Sequence, residues 1–353
     1  MFSASHTKPT HWPQTNFTRA FFIAAIVQAT IVTVLESYVF GQWQAYLRPN
    51  AIQVPASRTI PTFLTLLVFA SLYSMIFVYD GLRRRSSIQI SISCLLNIGL
   101  VVYTAIQPDK IHKSVLSMAE ARDALNQPLV DLSMDMWGYV KVVLVVLPVV
   151  VGVLTVLMGA LAWKIHGEFE WEVYRAIAGD SGMKRRFLTY QVYILLLKVD
   201  FFFIIGYIAQ LAAQVLDIGS VEFITTLCAV PLVFATLILA HFWTTRENRA
   251  GTILTAAMLC AALGYFIYKL IVMYTWKDVH YMYEAGFTML VLFACISAAL
   301  LFCTILNSIL CFCNFGKGLK TYLIPNEKEE SVLSYEPSIL AYNPPVARRL
   351  SLD

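Results

Sequence analysis

Eight long apolar segments limit what this chain can fold into. A helix needs about 20 apolar residues to cross about 30 Å of hydrocarbon, and the sequence meets that requirement eight times. Charged residues make up 14% of the 353 residues, well below the about 25% of soluble domains. We therefore predict an all-α fold, a polytopic bundle of transmembrane helices. The predicted spans cover approximately residues 20–40, 60–80, 88–106, 138–162, 189–216, 221–243, 251–275 and 285–312.

These spans define the predicted domain organisation. Residues 1–18 form an N-terminal segment, residues 19–313 form the transmembrane helical domain and residues 314–353 form a tail. The tail is rich in Pro, Ser, Glu and Tyr, a composition that predicts disorder. A polar turn signal at residues 217–220 separates the fifth span from the sixth. The first and second sets of four spans show no internal sequence repeat.

The distribution of Lys and Arg between the loops predicts the orientation of the chain. With a cytosolic N-terminus, the cytosolic side collects 17 of these residues and the opposite side collects 6. Cytosolic loops of membrane proteins carry the excess of positive charge. We therefore predict that both termini are cytosolic, which requires an even number of spans.

Two loops have apolar residues at helical spacing. The segment 107–136 carries Ile111, Val115 and Met118 and predicts a short surface helix. The segment 168–178 predicts a short helix on the membrane surface under the fourth and fifth spans. The alternative for this second segment is a solvated linker.

The fifth span carries a polar stripe. At about 100° per residue, four polar side chains fall within about 80° of one another and face the bundle interior. Lys198 falls on the opposite face, so it does not form a same-face ion pair with the carboxylate of the stripe. The four residues of the stripe are Asp200, Tyr207, Gln210 and Gln214.

The stripe has two interpretations. An ionised carboxylate inside a membrane is costly, and such residues are often functional. The functional interpretation is a proton-linked or polar-ligand site at Asp200. The structural interpretation is hydrogen bonding between helices, with Lys198 extending its ammonium to the cytosolic headgroups. Glu36, near the predicted lumenal end of the first span, either lines a vestibule opposite Lys141 or Lys269 or anchors the helix at the interface.

The sequence contains no motif of a known catalytic class. It lacks GxSxG, HExxH and P-loop patterns, and no His or Cys spacing is typical of a metal site. We predict no enzyme activity, no cofactor and no bound metal. Cys311 and Cys313 are candidates for palmitoylation, with unmodified thiols as the alternative, and Ser351 follows two arginines in a basophilic kinase pattern.

Part of the sequence resembles an uncharacterised fungal family of multi-spanning Golgi apparatus membrane proteins. The central likeness lies in the segment from Trp171 to Gln210, and it includes the run LLLKVDFFF. The resemblance extends over most of the membrane region and implies Golgi residence and a helical membrane fold, with no activity to transfer. Its other residues are Glu172, Tyr174, Arg175, Ile177, Asp180, Tyr190, Gln191, Leu195 to Phe203, Gly206, Val34 to Glu36, Phe40, Arg246, Glu247, Tyr265, Phe266, Lys269 and Leu270.

Two functional hypotheses follow. The first is a non-enzymatic protein of the Golgi membrane that acts in trafficking, cargo handling or membrane organisation, with cytosolic partners bound by the C-terminal tail. The second is a transporter or channel for a small solute or ion that uses the stripe of the fifth span. In both, the chain contacts the lipid bilayer and no nucleic acid.

Overall fold

The computed structural model describes residues 15–48, 55–120, 122, 128–131, 133–176, 181–214, 221–275 and 287–317. Within these ranges the chain forms eight helices and no extended strand. All eight helices are long and apolar enough to cross a membrane, so the predicted fold class is confirmed. The helices are α1 Asn16–Tyr46, α2 Pro55–Arg83, α3 Ser87–Glu120, α4 Met136–Ala176, α5 Ser181–Gln214, α6 Val221–Thr245, α7 Arg249–Thr275 and α8 Phe287–Cys313.

Two helices continue where the sequence predicted separate short helices. The first extension belongs to α3, which runs on to Glu120. Its side chains Ile111, Val115 and Met118 are buried against α1 and α4. The segment after residue 168 likewise continues α4 as far as Ala176. The helical spacing was read correctly, but the prediction of separate surface helices was wrong, because each segment extends the preceding span.

The helices pack as two rings of four. In the first bundle, α1 contacts α2, α2 contacts α3, α3 contacts α4 and α4 returns to α1. The second bundle repeats this order with α5, α6, α7 and α8. The two bundles meet where α2 packs against α5, a contact that we call the junction.

The turns between α2 and α3 and between α6 and α7 have the same geometry. Each places a non-glycine residue in the left-handed region, Arg85 at φ 49° and Glu247 at φ 52°. In each, the amide one residue later donates to a carbonyl five residues back, as in a Schellman motif. The two bundles therefore share the turn between their middle helices as well as their packing order, which the sequence did not reveal.

Aromatic side chains fill the junction. The ring of Phe202 on α5 stacks on Phe69 and Tyr73 of α2, with centroid distances of 5.6 Å and 5.3 Å. The Tyr73 hydroxyl donates to the carbonyl of Lys198 at 2.6 Å. In lipid, where apolar burial does not drive helices together, such close packing and hydrogen bonding hold them in register.

One end of the protein collects positive charge, and we call it the basic end. It contains the start of α5 and the ends of α6 and α8, because Tyr190 bonds to Thr245 and Arg186 donates to the Lys317 carbonyl. The end of α2 lies beside them through the Lys198–Asp80 ion pair, and one apolar cluster joins it to the start of α1 and the later part of α4. The excess of Lys and Arg predicts that this end faces the cytosol. The basic residues described there are Arg19, Arg83, Arg84, Arg85, Lys164, Lys184, Arg185, Arg186, Arg246, Arg249 and Lys317.

Candidate functional site

The polar stripe of α5 lies inside the second bundle. Asp200 and Tyr207 are fully buried, and Gln210 is 1% exposed. Gly206, on the same helix, allows α8 to approach closely, because a Cβ added there would lie 2.7 Å from Cε1 of Phe293. The side chain of Gln214 lies outside the described residues.

Asp200 has a single described hydrogen bond. The Thr304 hydroxyl on α8 donates to Oδ2 of Asp200 at 2.6 Å. The other carboxylate oxygen, Oδ1, is buried and has no hydrogen-bond partner among the described residues. None of the ion pairs in the described part of the chain includes Asp200. The carboxylate therefore has an acceptor that no described donor or cation fills.

Other oxygens near this face have spare hydrogen-bonding capacity. The Gln210 amide donates to the Gly206 carbonyl at 3.2 Å, while its own carbonyl oxygen has no described partner. Ser297 lies two turns before Thr304 on α8, is fully buried, and has a hydroxyl without a described hydrogen bond. Buried polar atoms without partners are uncommon in native proteins and call for an explanation.

The stripe reaches a cavity at the end of the bundle opposite the basic end. The cavity has a volume of about 670 Å³ and lies between the start of α2 and the end of α5. Gln210 lines it together with Gln44, Thr62 and Thr65. Pockets of about 300–1,000 Å³ hold small molecules in proteins. Asp200 itself does not line this cavity.

Lys198 does not extend to the headgroups, and that prediction was wrong. Its ammonium forms a short ion pair with Oδ2 of Asp80 on α2 and donates to Oε1 of Gln89 on α3 at 2.9 Å. Asp80 also accepts from Arg84 at 2.9 Å and from the Gln89 amide at 3.0 Å. The cluster of these four residues crosses the junction near the basic end, and we call it the junction cluster. The structure agrees with the phasing in one respect: Lys198 and Asp200 face different neighbours.

Glu36 belongs to the interior of the first bundle. It is 1% exposed, and both of its carboxylate oxygens accept from the amide of Gln107 on α3, at 3.0 Å and 3.1 Å. Both roles predicted for Glu36 from the sequence are therefore wrong. It does not face Lys141 or Lys269 across a vestibule, and it does not anchor α1 at the interface.

The candidate modification sites separate by exposure. Cys311 is buried, and its thiol lies 3.8 Å from the Thr189 carbonyl, so an acyl-transferring enzyme would have to open the end of α8 to reach it. Cys313 is exposed and stays a candidate for palmitoylation. Ser351 lies outside the described residues. Among the described residues, no group of three His, Cys, Asp or Glu side chains could hold a metal ion.

Four partner residues were missed from the sequence: Asp80, Gln89, Gln107 and Thr304. Helical phasing could have found three of them. Ser297, Thr304 and Ser308 recur at seven and four residues on α8, which places them on one face of a span that is otherwise apolar. Gln89 and Gln107 belong to a similar series on α3, where Gln89, Ser93, Asn97, Thr104 and Gln107 recur at spacings of four, four, seven and three residues.

Comparison with known proteins confirms the predicted resemblance. The chain is 26% identical over 319 residues to a UPF0658 Golgi apparatus membrane protein of Schizosaccharomyces pombe, and the alignment covers 86% of this chain and 89% of that relative. The relative's name states a location and no activity. No protein-family model matches the chain, and no solved structure matches it.

Proposed function

We propose that this chain is a non-enzymatic, multi-pass protein of the Golgi membrane that moves a proton or a small cation through Asp200. The location rests on the name of the fission yeast relative. The absence of catalytic motifs in the sequence supports the non-enzymatic part of the proposal.

The observation that carries the proposal is the unfilled acceptor of Asp200. A buried carboxylate is retained at low cost only when it is neutralised or fully hydrogen-bonded. The Thr304 hydroxyl satisfies one oxygen, and no described cation faces the other. A proton or a small cation would neutralise this group, and its reversible exchange is the elementary step of a proton-linked or cation-linked transporter.

The cavity beside Gln210 indicates the side from which a proton or cation would enter the second bundle. It lies at the end opposite the basic end, and Gln210 contributes an amide that belongs to the same stripe as Asp200. A solute entering there would meet Gln210 first, then Tyr207 and finally Asp200. The aromatic packing between Tyr207 and Phe266, 4.9 Å apart, lies along this path and would have to shift to admit it.

The test is a flux measurement on purified protein in liposomes. Vesicles carry a pH-sensitive dye or a cation-sensitive dye and are challenged in turn with gradients of H⁺, Na⁺, K⁺ and Ca²⁺. We expect wild-type protein to dissipate at least one gradient faster than empty vesicles. Asp200→Asn should lower that rate by about tenfold or more, because the amide takes up no proton and lacks the negative charge that attracts a cation.

The matched control is Glu36→Gln, which makes the same chemical change at the buried carboxylate of the first bundle. We expect it to keep the flux, since Glu36 already has both oxygens satisfied by Gln107. Size-exclusion profiles of both variants establish that they fold. Equal flux in Asp200→Asn and wild type, or no wild-type flux with any of the four ions, would contradict the proposal.

A second candidate function is trafficking through the C-terminal tail. The start of the tail is fixed to the basic end, where the Gly316 amide donates to Glu247 at 3.0 Å and the Lys317 carbonyl accepts from Arg186 at 2.8 Å. The residues that follow would leave the membrane at a defined place on the predicted cytosolic face. A tail peptide covering residues 318–353 should capture Golgi coat or sorting proteins from cytosol, whereas a scrambled peptide of the same composition should not. Equal capture by both peptides would refute this role.

A further inference from the structure

A groove runs between the two bundles on one side of the junction. Helices α3 and α8 form its walls, and α2 and α5 form its floor. Its volume is about 580 Å³, and most of its lining is Leu, Ile, Val and Phe side chains. It extends along α3 from Ile92 to Ile106, which at 1.5 Å per residue is about 21 Å. The groove therefore follows most of the thickness of the hydrocarbon layer.

The polar side chains that line the groove direct their hydroxyls to protein partners. Tyr73 donates to the carbonyl of Lys198, Tyr103 donates to the carbonyl of Phe63, and Ser74 donates to Asn97. These hydroxyls are therefore already satisfied within the protein. What the groove offers to an occupant is hydrocarbon surface, which suits an alkyl chain and not a polar solute.

The groove opens sideways within the membrane-spanning part of the helices. Leu95, Ile98 and Val102 of α3 are more than half exposed. Leu292 of α8, on the other wall, is 49% exposed. These four side chains line the groove and also reach its rim. An occupant can therefore enter from the lipid without passing through the bundle.

The junction cluster lies just beyond one end of the groove. Gln89 is one turn before Ile92 on α3, and Lys198 adjoins Val199 on α5, so the charged residues continue directly from the apolar lining. Arg84 and Lys198 share the single carboxylate of Asp80, which leaves this cluster with excess positive charge. The Arg84 side chain is 50% exposed and has donors left for an anion.

We propose that the groove binds an acyl chain of an anionic phospholipid and that the junction cluster holds its phosphate headgroup. The apolar groove and the cationic group at its end match the two parts of such a lipid, in the order that a lipid of the adjoining leaflet presents them. Basic residues at the membrane surface attract anionic headgroups.

A glycine on the wall of the groove provides a specific test. Gly99 lines the groove, and a Cβ added there meets no atom within 4 Å. The Cβ of Gly99→Phe therefore meets no atom, and its ring takes space in the groove that an occupant would need. Gly159 on α4 also has open space around it and does not line the groove, so Gly159→Phe makes the same change elsewhere.

The measurement is mass spectrometry of the lipid that stays with the purified full-length protein after a delipidating detergent wash. We expect stoichiometric phospholipid on wild type and on Gly159→Phe, and its loss from Gly99→Phe. Retention of equal lipid by Gly99→Phe, a sterol in place of the phospholipid, or no lipid on wild type would overturn the proposal. A dimer of the chain that Gly99→Phe dissociates would overturn it too, because the occupant would then be a second copy.

The headgroup is tested by exchange with vesicles of equal phosphatidylserine and phosphatidylcholine content. Wild-type protein should take up the anionic lipid in excess over its share of the vesicle, and Arg84→Gln should lose the excess while it keeps a bound lipid. Uptake in proportion to vesicle composition by wild type, or an unchanged excess in Arg84→Gln, would refute the assigned headgroup contact.

Discussion

The two four-helix bundles share a packing order and differ in how their buried carboxylates are hydrogen-bonded. Each has a carboxylate past the midpoint of its first helix, Glu36 in α1 and Asp200 in α5. In the first bundle, both oxygens of Glu36 accept from Gln107. In the second, Asp200 accepts from Thr304 through one oxygen, and the other has no partner among the described residues.

The neighbouring amides differ in the helices that they link, although the side-chain oxygens of Gln28 and Gln107 in the first bundle lack a described partner, as that of Gln210 does in the second. In the first bundle, Asn97 accepts from Gln28 at 3.4 Å and from Ser74 at 3.1 Å, so side chains of three helices form one network. In the second, Gln210 donates to the Gly206 carbonyl of its own helix and leaves its oxygen unfilled. Interhelical hydrogen bonds hold membrane helices together, whereas unfilled polar atoms can accept a ligand. We infer that Glu36 has a structural role in the first bundle and that Asp200 is the functional carboxylate of the second.

Replacing each carboxylate by leucine should separate these roles most strongly. Glu36→Leu orphans the Gln107 amide, a buried group whose loss of partner costs about 1–3 kcal/mol. Asp200→Leu leaves Thr304 with the Leu300 carbonyl, 3.0 Å away, so its hydroxyl stays satisfied. We expect the free energy of unfolding to fall clearly for Glu36→Leu and to change little for Asp200→Leu, as measured by thermal unfolding in detergent. Equal losses in the two variants would remove the distinction between the bundles.

Adding a methyl group where two helices meet should lower stability less than the leucine substitution at Glu36 does. A Cβ at Gly206 would lie 2.7 Å from the Phe293 ring, whereas one at Gly152 in the first bundle would lie 4.0 Å from Val101. Overpacking costs about 1–3 kcal/mol, and the lower part of that range applies because the ring can shift. Gly206→Ala should therefore lower the melting temperature and Gly152→Ala should not. A reversed order would show that the contact between α5 and α8 is the looser one.

Helical periodicity predicted part of the candidate site. The stripe of Asp200, Tyr207 and Gln210 was phased correctly because direction around a helix depends only on sequence spacing. The partner of Lys198 was not predictable in that way. Phasing gives the direction in which Lys198 points but not which helix lies there, and Asp80 is 118 residues away in the chain.

The extents of α3 and α4 show a second limit of the sequence. Polar and charged residues after residue 106 and after residue 162 end the apolar runs, so the spans were ended there. Both helices nevertheless continue beyond the apolar run. Ile111, Val115 and Met118 of α3 pack against α1 and α4, and Ile165 and Phe169 of α4 pack against α1, α2 and α3. Helix length in this region follows from contacts between helices rather than from hydropathy.

The sequence by itself determined the eight helices and the collection of basic residues at one end. Hydrocarbon leaves no other backbone arrangement for such apolar segments, since every amide must be hydrogen-bonded within its own span. Only the tertiary structure decided the two rings, the junction and the partners of Glu36, Lys198 and Asp200. Lipid tails are as apolar as the helix surfaces, so many packings of the same spans bury hydrocarbon equally well. The few polar contacts and close approaches, such as that of Gly206 to Phe293, distinguish between them.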